Sequence, residues 1–293
     1  MVTRKFINER ITHFSNLIDA YDTSRMATKR EEISLGLVGK VSKKYRQSEP
    51  WMFVLGNCAG IGEYYVCRSY AQIWQGDNSG WEDYWLGTRM MALRELVWIY
   101  QANQTMKPAK FGFPDGVKYI AALLLMNDVE LAKMAFEKIL PITWRTQITD
   151  YNYSDVGLEP MLIRLLGRRF NWQQDYPAAP LGRYSPIIEQ WDDTTAVLNT
   201  LRWMADDRVL DSKVEREWMV ASEMPFGEVP IEILVVYRVR AELGYETPRF
   251  EHKILYEPFC NIPANIVRTT DPQLPEIVAW VHRQYPELGD LHF

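Results

Sequence analysis

The sequence predicts an all-α protein, an irregular multi-helix bundle of helical hairpins that ends in a Pro-rich segment. Three observations carry this expectation. Apolar residues recur at three- and four-residue steps near the start of the chain. Residues 81–100 are apolar on most helical faces. Proline, glycine and the pair Asn127-Asp128 then interrupt the apolar stretches at helix-length intervals.

The elements follow in order. Ile7, Ile11, Phe14, Leu17, Ile18 and Tyr21 form one stripe, with Arg4, Glu9, Asn16 and Asp19 between them, as in an amphipathic helix. A second helix is expected over 26–45, with Ile33, Leu37, Val38 and Val41 inward. Pro50 suits the first turn of a third helix, because its missing N–H would be unpaired there anyway. Residues 51–75 are apolar and carry Gly56, Gly60 and Gly62. Trp81 to Tyr100 reads as a central helix. Residues 107–115, with Pro108 and Pro114, read as a loop. A helical hairpin follows, turning at Asn127-Asp128, with its second helix running from Val129 to a stop at Pro141.

Residues 149–155 form a polar connection. Residues 171–186 hold Pro177, Pro180, Gly182 and Pro186. Within a single domain spanning 1–293 they are the best candidate for a subdivision. Helices are expected over 187–204 and 212–221, the latter capped by Asp211 and Ser212. Val229 to Leu243 is rich in β-branched residues, which suit a strand. Pro230 before it and Gly244 after it favour a helix, and helix is the expectation. Residues 245–275 contain five prolines and read as irregular, before a last helix over 276–285.

Composition bounds the function. The chain has 293 residues, 47% hydrophobic and 24% charged, so it can bury a sizeable core. Its formal net charge of -5 argues against nucleic acid as a partner. The charge is uneven. Residues 1–48 carry ten Lys/Arg against five Asp/Glu, whereas Glu189 to Glu232 carries eleven acids against four bases. Three cysteines with no CxxC pair predict no disulfide framework. Met1 to Glu9 lacks the apolar core of a secretory signal, and no apolar stretch is long enough to span a bilayer. A cytoplasmic protein is expected.

Catalytic signatures are sparse. Gly56-Asn57-Cys58-Ala59-Gly60-Ile61-Gly62 has the wrong spacing for a dinucleotide fingerprint. Gly36-Leu37-Val38-Gly39-Lys40 likewise lacks the spacing of a phosphate loop. Small residues that let helices approach closely account for both. The four histidines stand at no metal-binding spacing, and no nucleophile elbow appears. Asp192-Asp193 and Asp206-Asp207 loosely match a magnesium-binding pattern but lack a second motif. Trp172, Tyr176, Trp191 and Trp203 near Asp192 and Asp193 allow a helical carbohydrate-active enzyme as an alternative. No catalytic residue, metal site or cofactor is assigned.

Eleven tryptophans and sixteen tyrosines nevertheless suit a binding protein as well as a core. Gly80-Trp81-Glu82-Asp83-Tyr84-Trp85 opens an apolar helix and is followed by the hairpin over 119–140. Ala241-Glu242-Leu243-Gly244-Tyr245 leads to Phe250-Glu251-His252 and the Pro-rich tail. In this organisation the chain resembles the helical immunity proteins of bacterial polymorphic-toxin and type VI secretion systems. The resemblance implies a protein without catalytic residues that binds a cognate toxin, often basic, and occludes its active site. Its contact surface is then expected in the acidic, tryptophan-bearing region: Trp191, Asp192, Asp193, Trp203, Asp206, Asp207, Asp211, Glu215 and Trp218. An adaptor or chaperone for a secreted effector is the other binding-protein expectation.

Overall fold

The computed structural model describes residues 4–21, 23–38, 50–104, 113–143, 157–173, 180–214, 228–247, 249–256, 258–289, 291 and 293. Among them are eleven α-helices, several short 3-10 turns and no strand, so the chain is all-α. Its contacts separate into two compact units. One comprises residues 3–98 and 263–293, here the terminal unit. The other comprises 99–262 with residues 1 and 2, here the central unit. Residues 171–186 lie within the central unit.

The terminal unit contains α1 (Arg4–Ala20), α2 (Thr23–Leu37), α3 (Pro50–Trp74), most of α4 (Gly80–Gln104) and α11 (Leu274–Gln284). Both α1 and α2 pack on α3, and α11 packs on α2. Phe14 of the α1 stripe and Ile33 of α2 are buried, as their spacing predicts. Val38 does not turn inward and is 65% exposed, and Val41 lies outside the described residues. The α2 helix ends at Leu37, so Val38 leaves the helical face that would have buried it.

Close approach of α3 and α4 explains Gly62 and Gly87. A Cβ on Gly62 would lie 2.8 Å from the Gly87 carbonyl oxygen, and one on Gly87 would lie 2.5 Å from that of Gly62. Two backbones meet there, which only glycine permits. Around this crossing α4 is buried on nearly every face, from Trp81 and Trp85 through Met90 to Leu96. Arg68 of α3 pairs with Asp83 of α4 through both carboxylate oxygens. Asp271, fully buried, receives Arg30 of α2 at 2.6 Å and the Tyr65 hydroxyl of α3 at 2.8 Å. This network ties the segment before α11 to both helices.

The central unit begins with the hairpin α5 (Phe113–Leu125) and α6 (Val129–Thr143). It turns at Asn127, whose φ of 60° is left-handed. The hairpin was expected, but two of its bounds differ. Phe113 to Asp115 belong to α5, with Pro114 in a first turn that tolerates it, while residues 105–112 lie outside the description. Pro141 falls inside α6, which continues to Thr143.

Next comes α7 (Leu158–Arg169), to which the sequence reading assigns nothing, although Met161, Leu162, Leu165 and Leu166 have helical spacing and are buried. The helix expected over 187–204 is broken. A short α8 (Ser185–Glu189) ends before residues 190–193, and α9 (Thr194–Val214) begins after them. The backbone of Asp211 and Ser212 therefore lies within α9 and not at a helix start. Residues 215–221 lie outside the description. Finally, α10 (Ile231–Glu242) is a helix, as expected. Its β-branched residues are buried together, Ile231, Ile233, Val235, Val236 and Val239. Burial on most faces removes the period-two pattern a half-buried strand would need. The α5, α7 and α10 helices pack on one another, and α8 packs on α7 and α9.

Candidate functional site

Three helix ends meet around an open cleft of about 670 Å³ in the central unit. It is lined by residues of the α7 end (Arg168, Asn171, Trp172), of α8 and the turn after it (Glu189, Trp191, Asp192), and of the α10 end (Leu243, Tyr245). Each lining segment is placed by local backbone chemistry.

At the end of α7 the Asn171 N–H donates to the Arg168 carbonyl, and the Trp172 N–H donates to the Gly167 carbonyl at 2.8 Å. Asn171 itself is left-handed, with φ of 54°. At the end of α10 the Gly244 N–H donates to Ala241, and the Tyr245 N–H donates to Arg240 at 2.9 Å, with Gly244 at φ of 79°. Both are Schellman endings, which reverse the chain and pair carbonyls the helix leaves open. Each puts an aromatic residue, Trp172 or Tyr245, just past the reversal. Glu242 accepts from Arg169 of α7 and from Arg238 one turn earlier in α10, joining the two ends.

The third segment rests on Arg240. This side chain is 1% exposed. It donates to the Trp191 carbonyl at 2.5 Å and twice to the Glu246 carbonyl, at 2.6 and 3.0 Å. Its Cζ lies 4.9 Å from the Trp191 ring centroid, and Arg168 lies over the same ring at 5.1 Å while donating to the Ile188 carbonyl. Burial lowers the Arg240 pKa from the arginine norm, opposed by the nearby carboxylate of Asp192. Tyr245 meets Trp191 edge-on, with centroids 5.7 Å apart. The indole N–H groups of Trp191 and Trp172 are buried and have no acceptor among the described residues.

The residues singled out from sequence thus separate. Trp191 is 4% exposed and held between arginine and tyrosine side chains, so it is a core residue of this site and presents no exposed anchor. Asp192 is exposed beside it. Asp193 is exposed but committed to capping α9, since its Oδ1 accepts from the N–H groups of Thr195 at 2.9 Å and Ala196 at 3.0 Å. Trp203, half-buried, contacts the Tyr184 ring at 5.1 Å and carries Arg183 over its own ring at 5.3 Å. Asp206 is exposed and lies 3.3 Å from Nε2 of His252, whose Nδ1 accepts from the Ile254 N–H. Asp207 is half-buried. The backbone of Asp211 is in α9, while its side chain, Glu215 and Trp218 lie outside the described residues.

The cleft therefore gathers Trp191 and Asp192 with Trp172 and Glu189, and leaves Trp203 and Asp206 elsewhere on the unit. Arg168 and Arg240 were missed. Arg240 did leave a signal, since it follows Ile233 and Val236 at helical spacing on a buried face. Arg168, in a polar stretch at a helix end, left none. Among the described residues no three His, Cys, Asp or Glu side chains stand close enough to hold a metal ion, and no helix is long and apolar enough to cross a membrane. Comparison with known proteins returns nothing: no family model, no curated protein and no solved structure matches this chain.

Proposed function

We propose that this chain is an immunity protein, which binds a basic protein toxin and blocks its active site. The observation that carries the reading is where the charge resides. The central unit has 18 Lys/Arg against 23 Asp/Glu, a balance of -5, and the terminal unit has 15 of each. The whole net charge of the chain thus belongs to the unit that also carries the cleft. Exposed Glu189, Asp192 and Asp206 contribute to it, with half-buried Trp203 nearby on α9. An acidic surface with aromatic side chains speeds encounter with a basic protein and supplies anchors once the two meet.

The test is co-expression with each protein toxin that a gene neighbouring this chain's own is found to encode. Protected cells, and a purified chain that stops the toxin's activity at equimolar concentration, are expected. Reversing Asp192 and Asp206 to lysine should weaken binding about ten-fold at low salt, with the difference shrinking toward 0.5 M salt. A chain that binds the toxin but leaves its activity intact is an adaptor, and that outcome overturns the inhibitory reading.

A further inference from the structure

Leu243 and Tyr245 are each 40% exposed, and they are the exposed large apolar side chains found among the described residues of the central unit. Both line the same cleft. Isolated exposed apolar residues carry little meaning. Two in one concavity, beside two tryptophans, make a recognition surface.

The polar groups of the cleft are unequally engaged. Arg168 and Arg240 already donate to the carbonyls of Ile188, Trp191 and Glu246. Glu189 accepts the Ser185 hydroxyl, while Asp192 makes no hydrogen bond or ion pair among the described residues and only sits in the field of Arg240. What the cleft offers an incoming group is therefore carboxylate oxygen at its rim and the 40% exposed Tyr245 ring, over which Arg240 of the same chain already lies at 5.6 Å. The indole N–H groups of Trp172 and Trp191 are buried behind this surface.

We infer that this cleft is the anchor pocket for a basic, extended segment of the partner protein, which enters it with an arginine side chain. The inference rests on the toxin-binding reading above. A guanidinium is the cation that suits this lining, because it stacks on an aromatic face and forks onto a carboxylate at once. Lysine offers the charge without the planar stack and binds less well.

The experiment follows the indole N–H signals of the full chain by NMR during titration with the peptide acetyl-Gly-Arg-Gly-amide. Trp172→Phe identifies one lining signal. The expected result is a saturable shift of that signal in the millimolar range. The same peptide with citrulline, uncharged but of the same shape, should bind about five-fold more weakly. Asp192→Asn should weaken the arginine peptide by a similar factor, and Tyr245→Leu should do so while the protein still melts cooperatively. Equal binding of the citrulline peptide, or an arginine response untouched by Asp192→Asn and Tyr245→Leu, overturns the inference. The two readings fail separately. Protection from the toxin by a chain carrying both substitutions sinks the pocket and leaves the immunity function standing. Peptide binding by a chain that gives no protection does the reverse.

Discussion

Trp172 and Tyr245 occupy the same position in two copies of one helix ending. Each is the third residue past its helix, each donates its N–H to the carbonyl five residues back, and each follows a left-handed residue, Asn171 or Gly244. The two aromatic walls of the cleft are thus set by backbone geometry. Gly244→Ala should destabilise the protein by about 1 kcal/mol, because a Cβ is strained at that φ. Asn171→Gly should be neutral or slightly stabilising, since glycine adopts the same conformation more freely. Urea unfolding of the two variants checks the pair.

Adjacent carboxylates before α9 have different tasks. Asp193 caps α9 and Asp192 caps nothing. Asp193→Ala should cost about 1 kcal/mol of stability, and Asp193→Ser should restore most of it. Asp192→Ala should change stability by less than about 0.5 kcal/mol. Thermal melts of the three variants separate a capping role from a surface one.

Glycines in α3 and α4 can be ranked by what surrounds them. At Gly62 and Gly87 an added methyl meets the other helix's backbone, so Gly62→Ala and Gly87→Ala should each cost about 1–3 kcal/mol. Gly56 has nothing within 4 Å of where its Cβ would stand, and Gly56→Ala should stabilise by about 0.5–1 kcal/mol. Chemical denaturation of these variants decides whether the glycine run exists for helix approach.

Asp271 makes stability depend on pH. Burial by itself pushes its carboxyl pKa up. Hydrogen bonds from Arg30, the Gln273 N–H and Tyr65 outweigh burial and hold the pKa below the ordinary carboxylate value. A group depressed in the folded state stabilises fully above its unfolded pKa of about 3.9, and that stabilisation is lost as pH falls through the lower folded value. Unfolding free energy should therefore decline from about pH 4 downward, and the decline should be shallower in Asp271→Asn. At neutral pH the same variant should be about 1–3 kcal/mol less stable, a figure reduced because Arg30 is partly in water.

Legibility in the sequence followed the range of the forces involved. Helix identity in α1 and α4 rested on apolar spacing, and in α10 on Pro230 and Gly244 at its ends, all properties of neighbours along the chain that could be read directly. The break between α8 and α9 could not. Residues 187–204 keep a plausible helical pattern, and what favours the interruption is Asp193 turning its carboxylate onto the first N–H groups of α9 while Arg240, 49 residues away from Trp191, holds the turn's carbonyl. Asp211 and Ser212 have capping chemistry, yet α9 passes through them.

The same division governs the site. Sequence alone determined the all-α class, the acidic balance of the stretch from Glu189 to Glu232, and the helix-ending residues Asn127 and Gly244, because composition and local backbone preference suffice for these. Tertiary structure decided which aromatics are walls and which are core. Trp191 stands in the acidic run as an apparent anchor, but two arginines from other helices cover it. Tyr245, unremarked beside Gly244, is left 40% exposed. Exposure depends on which distant side chains arrive, and that is fixed only when long-range packing brings α7, α8 and α10 together.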